Sequence, residues 1–282
     1  MYTIRKEDFT SVEMMDQLVR LQNKVYAGKH VFCPSTFKHW YIDNPNGNVI
    51  SFNAFYNDVL VAHYALVPIQ MKVDGKIVNG LLSMATVTDP EHQGKGLFKR
   101  LAKDSFDYSK QNGYQFVVGV ANANSYPGFI KYFNFVDLGK LEVLIGFKNN
   151  IIPKGEKAFS VFWNKEALEW RLSRKRYVRI QNNICGPIGF GPLKRLLGVN
   201  TYMGSFSKDL LDTLPIRQKK WNYSLKLYIG LGSNARDNGY LPVPTFIKRS
   251  PFHLIFLDMS DGDLPVINKD NVFFQLIDYD VA

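Results

Sequence analysis

The chain has 282 residues, 46% of them hydrophobic, and a mean hydropathy near zero, so it can bury one large core or two ordinary ones in a soluble protein, and its longest apolar runs, such as Phe116 to Ala121, fall far short of the roughly 20 residues that a membrane-spanning helix needs. Charges within Met1 to Glu13 argue against a signal peptide and for a cytoplasmic setting, and two cysteines, Cys33 and Cys185, without Cys-x-x-Cys or His spacing, exclude a disulfide framework and indicate no metal site. The net charge of +10 would attract any anion, and it is uneven, with 16 Lys and Arg against 13 Asp and Glu in residues 1–150 and 19 against 12 in residues 151–282; no reading helix or RNA-binding signature accompanies it, which argues against nucleic acid as the partner.

Tyr2 to Arg5 reads as a first strand. Thr10-Ser11-Val12-Glu13 has capping-box spacing, and Met14, Leu18, Leu21 and Val25 then share one helical face until Gly28. Ile50, Phe52, Ala54 and Tyr56 alternate as in a half-buried strand, Asn57-Asp58 turns the chain, and Val59 to Val73 is apolar on both faces, as a central strand is. Asp74-Gly75 is a hairpin turn, and Asn79-Gly80 breaks the pattern again before a strand from Leu81 to Thr88. A helix carrying Leu97, Leu101, Phe106 and Tyr108 ends at Asn112-Gly113, and Gln115 to Ala121 is the next strand. Strand, helix and strand joined this way form a right-handed crossover, with the two strands parallel. The expected class is α+β (mixed α/β), a mixed sheet flanked by helices.

The turn between those parallel strands is the most informative stretch. Gly94 and Gly96 let the backbone approach an anion, the helix that follows points unpaired N–H groups at the same place, and Lys95, Lys99 and Arg100 add charge of the right sign. Neither Gly-x-x-x-x-Gly-Lys-[Ser/Thr] nor Gly-x-Gly-x-x-Gly is present, since Leu97 and Phe98 follow Gly96 and Lys99 occupies the third glycine position. Gln93-Gly94-Lys95-Gly96, preceded by Val87-Thr88-Asp89-Pro90, resembles instead the acetyl-CoA pyrophosphate loop of the GNAT N-acetyltransferase superfamily, Gln/Arg-x-x-Gly-x-Gly/Ala. Phe98 departs from it, standing where the family has a small residue.

The resemblance covers about residues 1–147 and implies a GNAT-like domain over 1–148 whose two parallel strands splay apart. Backbone groups freed by the splay need partners, and the amides of an inserted pantetheine arm supply them. It implies main-chain bonds from Ala85 and Val87, a pyrophosphate held by Gln93, Gly94, Lys95, Gly96, Leu97, Phe98 and Lys99, and Asn122 or Asn124 at the cofactor or the acceptor channel. Asn122 to Phe135 looks like the family's second signature, but Asn134 falls at its glycine and Ile130 at the tyrosine that often protonates the leaving thiolate. Tyr126 and Tyr132 are the nearby substitutes, and His63 is a candidate base, beside Asp89, Glu91 or an ordered water.

From about Asn149 to Glu156 the chain is linker-like. Residues 157–282 read as a second α+β half, with strands at Tyr177 to Ile180, Phe252 to Leu257 and Val272 to Ile277. Trp163 and Trp170-Arg171 ahead of a strand echo His39-Trp40 ahead of theirs, so this half is either a degenerate GNAT-like fold shaping the acceptor site or an unrelated cap. Lys165 to Arg179 carries six basic residues against two acidic; Arg171 and Arg174, three apart, would share a helical face and meet a phosphorylated acceptor, the alternative being a solvated face. The resemblance implies an acetyl-CoA-dependent N-acetyltransferase, and two-part bacterial members of this kind point to an amino sugar or nucleotide-linked amino sugar. The alternatives are acyl or aminoacyl transfer from a larger donor and a noncatalytic CoA-binding module.

Overall fold

The computed structural model describes residues 1–27, 31–174, 177–186, 199–220, 224–244 and 251–279. β1 (Tyr2–Lys6) pairs antiparallel with β2 (Ile50–Tyr56), and α1 (Val12–Val25) and α2 (Pro34–Tyr41) lie between them in sequence. The expected capping box does not form, because the Thr10 hydroxyl bonds Asp8 (2.8 Å) and Ser11, the N-cap, makes no side-chain bond. α1 is held by its apolar face, with Met15, Leu18 and Leu21 buried. Gly28, the expected helix stop, lies outside the described residues.

β3 (Val59–Val73) is the spine of the sheet. Its first part pairs with β2, and β4 (Lys76–Thr88) runs antiparallel to nearly its whole length. β4 passes straight through Asn79-Gly80, where the sequence suggests a break. Gly80 is there for a different reason: the Phe116 ring packs on it, and an added Cβ would lie 2.3 Å from that ring. The chain then crosses through α3 (Leu97–Gln111) to β5 (Phe116–Ala121), parallel to β4 as the crossover requires, and on through α4 (Tyr126–Phe133) to β6 (Val136–Lys140).

Beyond β6 come β7 (Glu142–Gly146), β8 (Phe159–Val161), α5 (Lys165–Leu172), β9 (Val178–Ile180), β10 (Asn183–Gly186), β11 (Val199–Ser205), α6 (Lys208–Asp212), β12 (Leu225–Leu231), β13 (Leu241–Pro242), β14 (His253–Asp258) and β15 (Val272–Gln275). β7 pairs with β12 and β13, whereas β14 returns from the far end of the sequence to lie between β5 and β6, antiparallel to both. β8 adds to the end of β3 at Met71–Val73 and pairs with β15, joining the strands into one mixed sheet. The linker-like segment is tied in as well: Ile151 is fully buried, and the Tyr202 hydroxyl bonds both its N–H (3.3 Å) and its carbonyl (3.2 Å). The two tryptophan-bearing segments that echo each other in sequence meet, Trp170 stacking on His39 at 4.9 Å and donating its indole N–H to the His39 carbonyl (2.9 Å). No helix among the described residues is long and apolar enough to cross a membrane.

Because the Phe116 ring occupies the space of a Gly80 side chain, Gly80→Ala should destabilise the protein by about 2 kcal/mol through overpacking. Thermal unfolding checks this; an unchanged melting temperature would mean that the ring yields without cost.

Candidate functional site

β4 and β5 are paired only where Leu81–Ser83 faces Val117–Gly119. Past that point β4 runs on to Thr88 and β5 to Ala121 with no further ladder pairing between them among the described residues. The divergence coincides with a bulge in β4, where Ala85 and Thr86 together stand opposite Tyr64 and Ala85 takes φ +54°. α1 holds it: Gln22, buried on the helix's inner face, donates its side-chain amide to the Ala85 carbonyl (2.9 Å).

Strand alternation shows which backbone groups face the gap. Asp89 donates its N–H to the Val61 carbonyl (2.8 Å), so Val87 bonds toward β3 while the peptide groups of Thr86 and Thr88 turn outward. Met259 donates to the Gln115 carbonyl (2.8 Å), which turns the Val120 peptide toward the same gap. The gap opens into a cavity of 240 Å³ walled by Met84, Thr86, Val120 and Asn122 together with Tyr26, Phe252 and Tyr279. Among the described residues no charged side chain lines it.

At the end of β4 the glycine turn enters α3. Gly94 (φ +70°) and Gly96 (φ +72°, the N-cap of α3) are both left-handed with open space where a Cβ would be, so the backbone twist calls for glycine. The helix leaves the N–H groups of its first residues without intrahelical partners, its first turn holds no acidic residue, and the Gln93 side chain steadies the turn through the Thr88 carbonyl (3.3 Å). Leu97 is buried. The Phe98 ring turns into the core, so close to Gly128 that a Cβ there would sit 2.9 Å from it, and its bulk therefore stays off the turn. Lys95 and Lys99 are exposed. Asn122 accepts N–H bonds from Asn124 (2.9 Å) and Ser125 (3.1 Å), closing the turn into α4, and Asn124 is exposed beside it. Asn134 takes φ +56° at the end of α4, the conformation a glycine there would supply.

The five acid–base candidates, His63, Tyr126, Tyr132, Asp89 and Glu91, are not among the residues that wall this cavity. His63 is fully buried between the Tyr41 hydroxyl (2.9 Å) and the Asn53 side-chain oxygen (2.6 Å), and burial pushes its pKa down to about 3. Tyr126 donates its hydroxyl to Asp137 (2.8 Å), which also contacts His253 Nδ1 (3.0 Å), and that hydrogen bond raises the Tyr126 pKa. Tyr132 is exposed on α4. Asp89 caps the turn after β4 and contacts Lys24 (2.7 Å); burial pushes its carboxyl up, but the Lys24 ammonium and the Glu91 N–H outweigh it and leave the pKa lowered. Glu91 is exposed, 3.6 Å from the same lysine.

The two arginines part company, because α5 ends at Leu172 and their shared face ends with it. Arg171 is buried, lies 4.1 Å from the Trp40 ring centre and donates Nε (2.8 Å) and Nη2 to the Ile277 carbonyl; Arg174 reaches Thr36 (3.2 Å). Of the remaining basic run, Arg179 pairs with Asp212 (2.5 Å) and Lys165 with Glu169 (3.8 Å), while Lys175 and Arg176 lie outside the described residues. Sequence reasoning missed Gln22, whose signal was an amide beside Leu18 and Leu21 on an apolar face, and it missed Thr86, Phe252 and Tyr279.

Fold and site together define a mixed-sheet protein with an open β4–β5 gap and a phosphate-type turn at its end. Residues 10–136 match the family model described as an acetyltransferase (GNAT) domain, so this part of the chain is a GNAT acetyltransferase domain. Two solved structures share the fold across 92% of this chain: a probable N-acyltransferase from Enterococcus faecalis V583, described as a conserved protein of unknown function (11% identity, 72% of that chain, TM-score 0.59), and a GCN5-related N-acetyltransferase from Kribbella flavida (9% identity, 73% of that chain, TM-score 0.56). No curated protein sequence matches it.

Arg171 and Trp163 meet a further group, Asp278, which accepts bonds from the Trp163 indole (2.8 Å) and the Gln275 N–H (2.6 Å). Burial pushes its carboxyl up to about 7. A carboxyl raised on folding stabilises the fold fully below its unfolded pKa of about 4, and this contribution is lost as pH rises through the folded value. Denaturant unfolding should therefore show stability falling from about pH 4 to 7, by on the order of a few kcal/mol. Asp278→Asn should lower stability overall and flatten that slope; an unaltered slope would assign it to other groups.

Proposed function

We propose that the protein transfers an acetyl group from acetyl-CoA to the amine of a small molecule. The observation that carries this reading is the alignment of two features on one strand: the unpaired edge of β4 and, at its end, a left-handed glycine turn feeding a helix N-terminus. Acetyl-CoA, when bound, supplies the activated acyl group. The turn from Gln93 to Lys99 holds the pyrophosphate through backbone N–H groups and lysine charge. The Thr86 and Val120 peptides meet the amides of the pantetheine arm as neighbouring strands meet, and Asn122 and Asn124 stand at the mouth. Ala85 builds the bulge, and Val87 anchors the strand behind it.

By strand alternation the Thr86 N–H is turned toward the gap, where it would stabilise negative charge on the acyl oxygen of a bound acetyl group. No carboxylate or imidazole lines the cavity among the described residues, so a water would serve as the acceptor of the amine's proton. In this reading residues 1–148 bind the cofactor and residues 157–282 shape the acceptor side, since Phe252 and Tyr279 wall the cavity. Amino sugars and nucleotide-linked amino sugars are the first acceptors to try.

Calorimetry with CoA tests the cofactor, and thiol release from acetyl-CoA across a panel of amines tests the reaction. Gly96→Val should weaken CoA binding at least tenfold with the fold intact, because a β-branched residue resists the left-handed conformation. Unchanged affinity would remove the turn from the cofactor site.

A further inference from the structure

The cavity at the β4–β5 gap is walled in part by three aromatic rings that belong to neither strand. Tyr26 is the C-cap of α1, Phe252 stands just before β14, and Tyr279 follows the turn after β15. Two of them are braced by other rings: Tyr26 lies 5.6 Å from Phe32, centre to centre, and Tyr279 stacks on Phe274 at 5.8 Å and 20°. Rings braced in this way need little ordering when a ligand arrives. Segments far apart in sequence thus bring aromatic surface to one cavity, and the transfer chemistry leaves it unused.

The polar side chains of the same wall are largely engaged inside the protein. Ser83 shares a hydrogen bond with the Tyr64 hydroxyl (2.9 Å). Asn122 uses its side-chain oxygen on the N–H groups of Asn124 (2.9 Å) and Ser125 (3.1 Å), and the Ser125 hydroxyl accepts the Asn122 N–H (3.2 Å). In the acetyl-CoA reading the Thr86 and Val120 peptides are taken up by the pantetheine arm. A polyhydroxylated body entering here would exchange water for few partners, and each hydroxyl buried without one weakens binding. A polyamine meets a different obstacle, since the chain carries a net charge of +10 and no carboxylate lines the cavity among the described residues. What the wall offers is aromatic surface, which favours another ring.

We propose that the acceptor is an aromatic monoamine, a single amino group on a short chain from an aromatic ring, with that ring seated among Tyr26, Phe252 and Tyr279. This rests on the acetyl-CoA reading and deepens it by naming the body of the acceptor. It ranks such amines ahead of the amino sugars that the family resemblance suggests. The same surroundings serve the chemistry, because an ammonium moved from water into an uncharged apolar cavity gives up its proton more readily and becomes the neutral amine that attacks.

The test measures thiol release from acetyl-CoA by the full chain with 2-phenylethylamine, 2-cyclohexylethylamine, glucosamine and spermidine, alongside calorimetry with CoA. The kcat/KM for 2-phenylethylamine should exceed those for glucosamine and spermidine at least about tenfold. It should exceed that for the cyclohexyl analogue, which has the bulk of a ring without its π electrons, by about fivefold. Phe252→Leu keeps apolar bulk and removes one ring, so it should raise the KM for 2-phenylethylamine about fivefold and narrow its advantage over the cyclohexyl analogue. CoA affinity should stay unchanged in that variant, which checks that it is folded. A preference for glucosamine or spermidine, equal rates for the two ring amines, or an equal loss for both of them in Phe252→Leu overturns the aromatic acceptor and leaves acetyl transfer in place. CoA binding without thiol release to any of the four amines likewise overturns the acceptor alone. No binding of CoA removes the acetyl-CoA reading, and this proposal with it.

Discussion

The architecture turns on one hydrogen bond, from the Gln22 side chain to the Ala85 carbonyl. A bulge redirects a strand only if something satisfies the backbone group that it expels from the ladder. Here α1 supplies that partner from a buried position. With Ala85 turned back toward the helix, β4 leaves β5 after Ser83, and the edges of both strands are left to face a cavity. Had the pairing continued to Thr88, the sheet would be complete and the gap absent. The glycine turn at the end of β4 matters because it delivers a helix N-terminus to the mouth of that gap.

A second constraint is the exchange of strands along the chain. β14 inserts between β5 and β6 in the N-terminal part of the sheet, while β7 leaves for β12 and β13. The same excursion brings Phe252, beside β14, and Tyr279, just past β15, to the cavity wall. The turn bearing Tyr279 is fixed by Arg171, whose guanidinium sits between aromatic rings and grips the Ile277 carbonyl, and by the Trp163–Asp278 bond. Among the described residues, the basic run that looks in sequence like an anion-binding face is divided: Arg171 grips a carbonyl inside, Arg174 reaches Thr36, and Lys165 and Arg179 pair with carboxylates.

Much of the first half was legible because its signals are local. Alternation in Ile50 to Tyr56, the Asp74-Gly75 hairpin, and the strand, glycine turn and helix from Leu81 to Gln111 each declare themselves within a few residues, and the crossover rule then fixes the direction of β5. Asn79-Gly80 misled because a glycine needed for close packing against Phe116 looks the same in sequence as a glycine needed for a turn. The bulge was illegible for the opposite reason: Ala85 carries no turn signature, and its left-handed conformation depends on a residue 63 positions away. His63 read as a catalytic candidate because its neighbours in sequence do not reveal Tyr41 and Asn53 closing on both ring nitrogens. The place of β14 between β5 and β6 is a long-range pairing, invisible to periodicity.

The central claim is that an acyl-pantetheine arm completes the sheet between β4 and β5. Crystallographic difference density for the protein with acetyl-CoA tests it most directly. The account predicts the arm lying between Thr86 and Val120, bonded to their main chains, with the pyrophosphate on the turn from Gln93 to Lys99. A cofactor lodged wholly among residues 157–282, with the β4–β5 gap empty, would contradict it.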